Sequence, residues 1–535
     1  MRRQEEFVVN AAGRRVPTVV NGQGQVPYQG VGRYRPEESK QAPPIRSCAD
    51  YPSSGDKRVA DLETAFRKCG LQDGMVISTH HHLRDGDQVA LLALQTAARM
   101  GVRDLMWFPS ASFPCHAPVI DLMEAGTVHH IEGSMNGPLG EYCSAGKMRG
   151  QGVLRSHGGR WQAIQDGEVK IDIAVIAAPS ADAFGNANGA HGKSACGSLG
   201  FALADSIYAD HVIVVTDELV PFPCVPWQIQ GNHVDCVVEV DSIGDPSKIV
   251  SGTTQITRSP DRLRIAEYVA RFIRDAGILR PGFSFQAGAG GIALAFVAYL
   301  REIMREQGVK ARFVRGGTTK HLVELLKDGR VDYILDGQTF DLDAVHSLAT
   351  DPRHISTSPF TSYNFHGKGN FASMVDVVVL GATEVDPQFN GNVVTHSDGR
   401  LLHGIGGWQN CLFAGCTILA VPSFRDRIPV IVDKVTTLTG PGELIDVVVT
   451  ERGIAINPRR KDLIEAVRKS DLPIRPIEEI QQEVQAICGG PPEKAKVTDR
   501  PVAVVKWVDG TVLDTVWQVG ELKGLLRPVR EASVD

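Results

Sequence analysis

The feature that most limits what this chain can fold into is a diverged internal repeat. Gly74-Met75 opens a strand-like run leading to His80, and Gly282-Phe283 opens another leading to Gly288. Each is followed by a helical segment, a Gly-Val pair (Gly101-Val102, then Gly308-Val309), a further strand, and a turn at Gly126-Thr127-Val128 or Gly329-Arg330-Val331. The two series converge again at Ile171 to Asn188 and Val375 to Val393, each a buried strand entering a loop with Asp, Phe, Gly and Asn. Apolar runs of strand length alternating with segments of helical period predict βαβ units and mainly parallel sheets. A repeat of such units predicts two similar α/β domains in tandem, with an active-site cleft between them and ligands beyond the carboxyl ends of the strands.

A chain of 535 residues is longer than one hydrophobic core usually supports. The expected divisions are an N-terminal arm over 1–54, a first domain over 55–275, a second over 276–500, and a C-terminal hairpin and tail over 501–535. The arm is polar and broken by Pro36, Pro43, Pro44 and Pro52, which reads as extended rather than packed. The hairpin is signalled by Asp509-Gly510 between two apolar runs. With 43% hydrophobic and 22% charged residues and a net charge of −6, the composition is that of an ordinary globular protein, with no sign of nucleic-acid binding. The start lacks the apolar stretch of a signal peptide and no window is apolar enough to span a bilayer, so the cytoplasm is expected. The ten cysteines form no CxxC pair, which argues against a zinc ribbon or a dithiol site.

Two glycine-rich loops and one set of cationic loops carry the chemistry. Gly288, Gly290 and Gly291 lie between the strand Phe283-Ser284-Phe285 and a helical run from Ile292 to Met304, where amides at a helix start would face an anion or an oxyanion. Neither the P-loop nor the dinucleotide fingerprint is met, and such glycines serve a tight turn equally well. Gly404, Gly406 and Gly407 form the second loop, after the strand and loop of Glu384 and Asp386. Histidine and arginine concentrate in the first half: His80, His81, His82 and Arg84, then His116, then His157 and Arg160. A polycarboxylate needs several such partners. The expected carboxylate-binding set is therefore His80, His81, Arg84, His116, His157, Arg160 and Asn188, with Asn186 and Lys193 as second choices. No metal site is expected, because His80 and His82 lack a third ligand at telling spacing.

The order Thr383-Glu384-Val385-Asp386, Gly391-Asn392-Val393 and Gly404-Ile405-Gly406-Gly407 resembles the CoA-transferase family. From Cys48 to Val519 the chain is similar in particular to its citrate lyase alpha-subunit branch. The strings that carry this include Gly70 to Met75, Cys115-His116-Ala117-Pro118, Ser156 to Arg160, Phe184 to Gly189, Cys196 to Gly200 and Gly453 to Pro458.

The resemblance implies exchange of the acetyl group on a carrier thioester for citrate through a mixed anhydride. Gly290 and Gly406 would stabilise the oxyanions, and both glycine loops would receive the thioester. It implies no tightly bound cofactor: the donor is the phosphoribosyl-dephospho-CoA group of a small acyl-carrier (gamma) subunit, with acetyl-CoA as substitute. The carrier and a citryl lyase (beta) subunit would be partners in a hetero-oligomer, and the segment before Asp50 would dock them. Many family members use a glutamate nucleophile. Glu384 and Glu218 are the candidates here, although the citrate lyase branch resembles enzymes that transfer within a ternary complex, which makes Glu384 a positioning residue. A stand-alone CoA-transferase for another acid and a non-catalytic ligand-binding module are the alternative readings.

Overall fold

The computed structural model describes residues 6–34, 52–250, 255–288, 290–367 and 369–520. Two large sheets dominate it. The first contains β1 (Arg58–Val59), β2 (Val76–Thr79), β3 (Leu105–Pro109), β4 (Val128–Ile131), β5 (Ile173–Ala178), β6 (His211–Thr216) and β7 (Cys236–Glu239). It runs in the order β1-β7-β6-β5-β2-β3-β4, with every pair parallel. The second contains β8 (Ser284–Ala287), β9 (Ala311–Thr318), β10 (Val331–Thr339), β11 (His354–Ser356), β12 (Val377–Leu380), β13 (Thr417–Ala420), β14 (Val447–Thr450) and β15 (Gly453–Ile456). Its order is β11-β10-β9-β8-β12-β13-β14-β15, parallel except for the last pair.

Read from the opposite edge, the first sheet runs β4-β3-β2-β5-β6-β7, matching β10-β9-β8-β12-β13-β14 of the second strand for strand. The repeat extends to side chains. After β5, Asp182 accepts hydrogen bonds from the amides of Phe184 and Asn186 and from Asn186 Nδ2. After β12, Asp386 accepts them from the amides of Gln388 and Asn390 and from Asn390 Nδ2. In each half the loop asparagine then accepts from a distant glycine amide, Gly231 or Gly442.

The central strands are buried throughout, as parallel strands covered on both faces must be. Among the helices, Pro260–Asp275 and Gly291–Glu306 bury Ile265, Val269, Phe272, Phe296 and Leu300 in one cluster with strands of the second sheet. The helix Pro260–Asp275 thus packs with the second half, although the boundary after residue 275 assigns it to the first.

A second correction concerns the arm. Within it, residues 6–34 are packed: Phe7–Val9 pairs with Arg15–Pro17, Val16 is fully buried, and Asn10 Nδ2 donates to the carbonyls of Val512 and Leu513. Two buried valines, Val16 and Val20, suffice because a partner surface already exists in Val153, Val504 and Val512. That surface is a hairpin of β16 (Val497–Lys506) and β17 (Val512–Val519), turning at Asp509-Gly510 as expected, with Gly510 at φ 88°. Through β16 the hairpin pairs in parallel with Gly152–Leu154 of the first half. Pro36, Pro43 and Pro44, with the rest of the segment from residue 35 up to Asp50, and the tail after Gly520 lie outside the described residues.

One hydrophobic cluster unites Trp107 and Val128 of the first sheet, Val378, Leu419 and Val448 of the second, and Trp507 and Val516 of the hairpin. The halves meet through a shared core, and the cleft is a seam within it. No helix among the described residues is long and apolar enough to cross a membrane.

Candidate functional site

The seam forms where the loops after β2 and β3 meet the end of β10. His81, buried and following β2, places its Nδ1 2.6 Å from Ser110 Oγ and its Nε2 3.1 Å from Gln338 Oε1 across the seam. The Gln338 amide is oriented by donating to the His81 carbonyl, so its oxygen accepts from an Nε2–H and leaves Nδ1 to accept from the serine. This is a neutral imidazole. Burial, then the neighbouring His157 and His82, push its pKa well below the ordinary histidine value against the opposing Gln338 bond.

His157 stacks on His81 with ring centroids 5.5 Å apart, and Phe201 packs against both rings. It begins the helix His157–Gln165, which Ser156 caps by accepting from the Gly159 amide. Its own amide donates to the Gly406 carbonyl at 2.8 Å, and the next amide, Gly158, donates to Asn410 Oδ1. Burial, reinforced by Arg160, pushes the His157 pKa down to about 3. Arg84 completes this wall, its guanidinium lying over Phe113 of one half and Phe340 of the other, and burial lowers it to about 10.

The other members of the expected carboxylate set are also held by protein partners. Arg160 grips both oxygens of Asp205 at 2.7 Å and also donates to Ser78 Oγ. His80 contacts the same carboxylate at 2.9 Å, and His82 stacks behind His80. Burial raises the Asp205 pKa, but Arg160 and His80 outweigh it and hold the carboxyl far below its usual range. His116 bonds Asp87 at 3.0 Å through Nε2 and accepts from the Phe113 amide at Nδ1. Asn188 accepts from the amides of Ala190 and His191 and donates to the Pro226 carbonyl. These four side chains brace the loops; His81, His157 and Arg84 face the seam.

Glu384 is 1% exposed and receives hydrogen bonds from the Thr436 amide at 2.7 Å, from Thr436 Oγ1 and from Asn392 Nδ2. It pairs in register with Asn392 as Ser180 pairs with Asn188 in the first half, so it ties a hairpin to a loop. Glu218 accepts from the Lys193 amide.

The glycine loops do different work. Gly290, at φ 127°, precedes the 16-residue helix Gly291–Glu306, and with Gly291, Gly381, Arg262 and Arg425 it lines a cavity of about 230 Å³. The cavity includes Val379 and lies where the connections from β8 and β12 diverge, the usual ligand position in an open α/β sheet. Arg425 donates to the carbonyls of Ala382 and Thr383. Gly288 donates to the Val379 carbonyl. Gly404, Gly406 and Gly407 instead form the seam itself. A Cβ on Gly404 would stand 2.1 Å from Ser134 Cβ, and one on Gly407 would stand 2.7 Å from Tyr363 Oη. Trp408 joins the two regions by donating from Nε1 to the Gly381 carbonyl. Gly404→Ala is expected to push this loop off the first half and cost about 1–3 kcal/mol, read as a lower midpoint in urea.

Sequence reasoning missed Ser110 and Gln338, which no motif marks and which packing alone brings to His81. Among the described residues no group of three or more His, Cys, Asp or Glu is placed to hold a metal.

Matching parallel sheets joined along a glycine-lined seam define the CoA-transferase fold. A 4-hydroxybutyrate CoA-transferase from Porphyromonas gingivalis shares it at a TM-score of 0.51 and 15% identity, over 80% of this chain and 98% of that one. The family model for the citrate lyase alpha subunit matches residues 55–519. The citrate lyase alpha chain of Klebsiella pneumoniae is 41% identical over 93% of this chain and 96% of its own. A citrate lyase alpha subunit from Streptococcus mutans, solved in complex with citrate, superposes at a TM-score of 0.91 with 40% identity, over 96% of this chain and all of that one. This chain belongs to the citrate lyase alpha subunit family.

Proposed function

We propose that this subunit exchanges the acetyl group of a carrier-bound thioester for citrate at the seam between the two sheets. The observation that carries the reading is the hydrogen-bonded junction of neutral His81 and His157 with Gln338 and the Gly406 carbonyl. It sits one loop away from a cavity with two arginines and a helix N-terminus. That juxtaposition suits two ligands at once: a polycarboxylic acid in the seam and a phosphate-bearing pantetheine thioester in the cavity. The Streptococcus mutans relative solved with citrate and the Klebsiella pneumoniae citrate lyase alpha chain support the choice of acid.

A citrate carboxylate oxygen attacks the acetyl carbonyl, the carbon–sulfur bond breaks, and a mixed anhydride and a thiolate result. The thiolate then attacks the citryl carbonyl and acetate leaves. Both tetrahedral oxyanions need donors, for which the amides opening the helix at Gly291 are suited because the first turn of a helix leaves its N–H groups unpaired. His81, His157 and Arg84 orient the acid. Glu384, satisfied by three hydrogen bonds, positions the hairpin after β12 and is not acylated. The donor is the phosphoribosyl-dephospho-CoA group of an acyl-carrier subunit, a citryl lyase subunit cleaves the product, and the assembly works in the cytoplasm.

Acetyl-CoA with isotopically labelled citrate should yield labelled citryl-CoA and free acetate. Absence of exchange, or exchange only with a different acid, would overturn the reading. His81→Ala is expected to lower kcat for this exchange by about 10- to 100-fold, consistent with removing one positioned polar partner. An unchanged kcat would take His81 out of the site.

A further inference from the structure

Two of the buried arginines among the described residues are answered by carboxylates. Arg155 meets Glu132 at 3.0 Å and Glu168 at 3.2 Å, and Arg160 meets Asp205 at 2.7 Å. Arg315, on β9, is fully buried, and no described carboxylate lies within ion-pair distance of it. Its Nη1 donates to Gln286 Oε1 at 2.7 Å, while Nε and Nη2 have no partner among the described residues. Its guanidinium lies 4.4 Å from the centre of the Tyr363 ring. A buried cation without a counter-charge is costly, and a planar fork with two free donors matches a carboxylate in particular.

The position of Arg315 adds the second argument. Tyr363 Oη is 3.8 Å from Cys411 Sγ and would touch a side chain on Gly407, so the cluster lies directly under the loop whose Gly406 carbonyl holds His157. Tyr363 also lines a cavity of about 240 Å³ with Asn410, whose side chain accepts from Gly158. Gln286 and Arg315 project from neighbouring strands at paired positions.

We propose that Arg315, assisted by Gln286 and the Tyr363 hydroxyl, anchors one carboxylate of the acid acceptor. The inference rests on the exchange reading and names the group that supplies the counter-charge for a polyanionic substrate. Its sequence signal was lost because a single arginine in an apolar strand has no neighbours in sequence to mark it.

Citrate affinity measured by calorimetry on the full chain tests it, alongside acetyl-CoA affinity and the urea midpoint. The comparison includes wild type, Arg315→Met, which removes the charge, and Gln286→Glu, which supplies an internal counter-charge. Both variants are expected to bind citrate about 100-fold more weakly, as truncating a buried charged partner does, with acetyl-CoA affinity unchanged. Neither should be less stable than wild type, whereas a purely structural Arg315 would make Arg315→Met unstable and leave citrate binding intact. Wild-type citrate affinity in folded Arg315→Met, or in Gln286→Glu should the first variant not fold, overturns the proposal. So does loss of acetyl-CoA binding with citrate binding retained. No citrate binding by wild type would instead sink the exchange reading.

Discussion

Lowering the pH from about 7 to about 5.5 is expected to destabilise the fold by about 4 kcal/mol, through three neutral histidines, His81 and His82 buried and His157 half-buried. His81 and His82 are held well below the ordinary histidine value of 6.5, and His157 at about 3, in each case chiefly by burial. In the unfolded chain each regains its ordinary value. The unfolded state therefore binds more protons in the window from 6.5 downward, so stability is full above that window and falls as the pH drops through it. Each group contributes a little over 1 kcal/mol, roughly, across the stated interval. Urea unfolding at a series of pH values reads the slope, and His157→Gln should flatten it by about one third. A slope that does not change in that variant would mean His157 is charged or exposed in the native state.

Removal of the Asp205 carboxylate has an effect of the same size by a different route. Asp205→Ala is expected to cost about 3–5 kcal/mol, because it leaves Arg160 buried without its ion-pair partner. The carboxylate accepts from both guanidinium nitrogens and from Ser78, and contacts His80, all at positions that water does not reach. Arg160→Met combined with Asp205→Leu should recover most of that loss, since two apolar groups leave no orphaned charge. The comparison by urea midpoint separates a structural pair from a ligand site: a double variant that folds well and still binds citrate shows that Arg160 braces the loop after β2. Failure of the double variant to recover stability would show that the polar network itself specifies the packing there.

These two effects explain why the site was only half legible in the sequence. The paired sheets were readable because strand and turn signals recur in the same order, and Asp182 and Asp386 even repeat their hydrogen bonds. His81, His157 and Gly406 were also readable as members of polar or glycine-rich loops. What sequence could not separate was Arg160, His80 and His116 from His81 and His157. The partners that retain Arg160, His80 and His116, namely Asp205 and Asp87, are brought to them by packing rather than by spacing. Gln338 was invisible for the converse reason: it comes from the other sheet, two hundred and fifty-seven positions from His81. The N-terminal segment misled because its apolar residues are few, and its stability depends on a hairpin at the far end of the chain.

The shared core has a functional consequence. Because Trp107, Val378 and Trp507 pack in one cluster, the two sheets are held in fixed register. In the proposed exchange, alignment of this kind would take the place of a covalent intermediate by bringing the acid to the thioester. The most direct test is initial-rate kinetics of the exchange, with acetyl-CoA and citrate varied against each other. Intersecting double-reciprocal lines, unchanged in pattern in Glu384→Gln, are expected of a complex that holds both substrates together. Parallel lines, with an acyl group trapped on Glu384 by hydroxylamine, would contradict it.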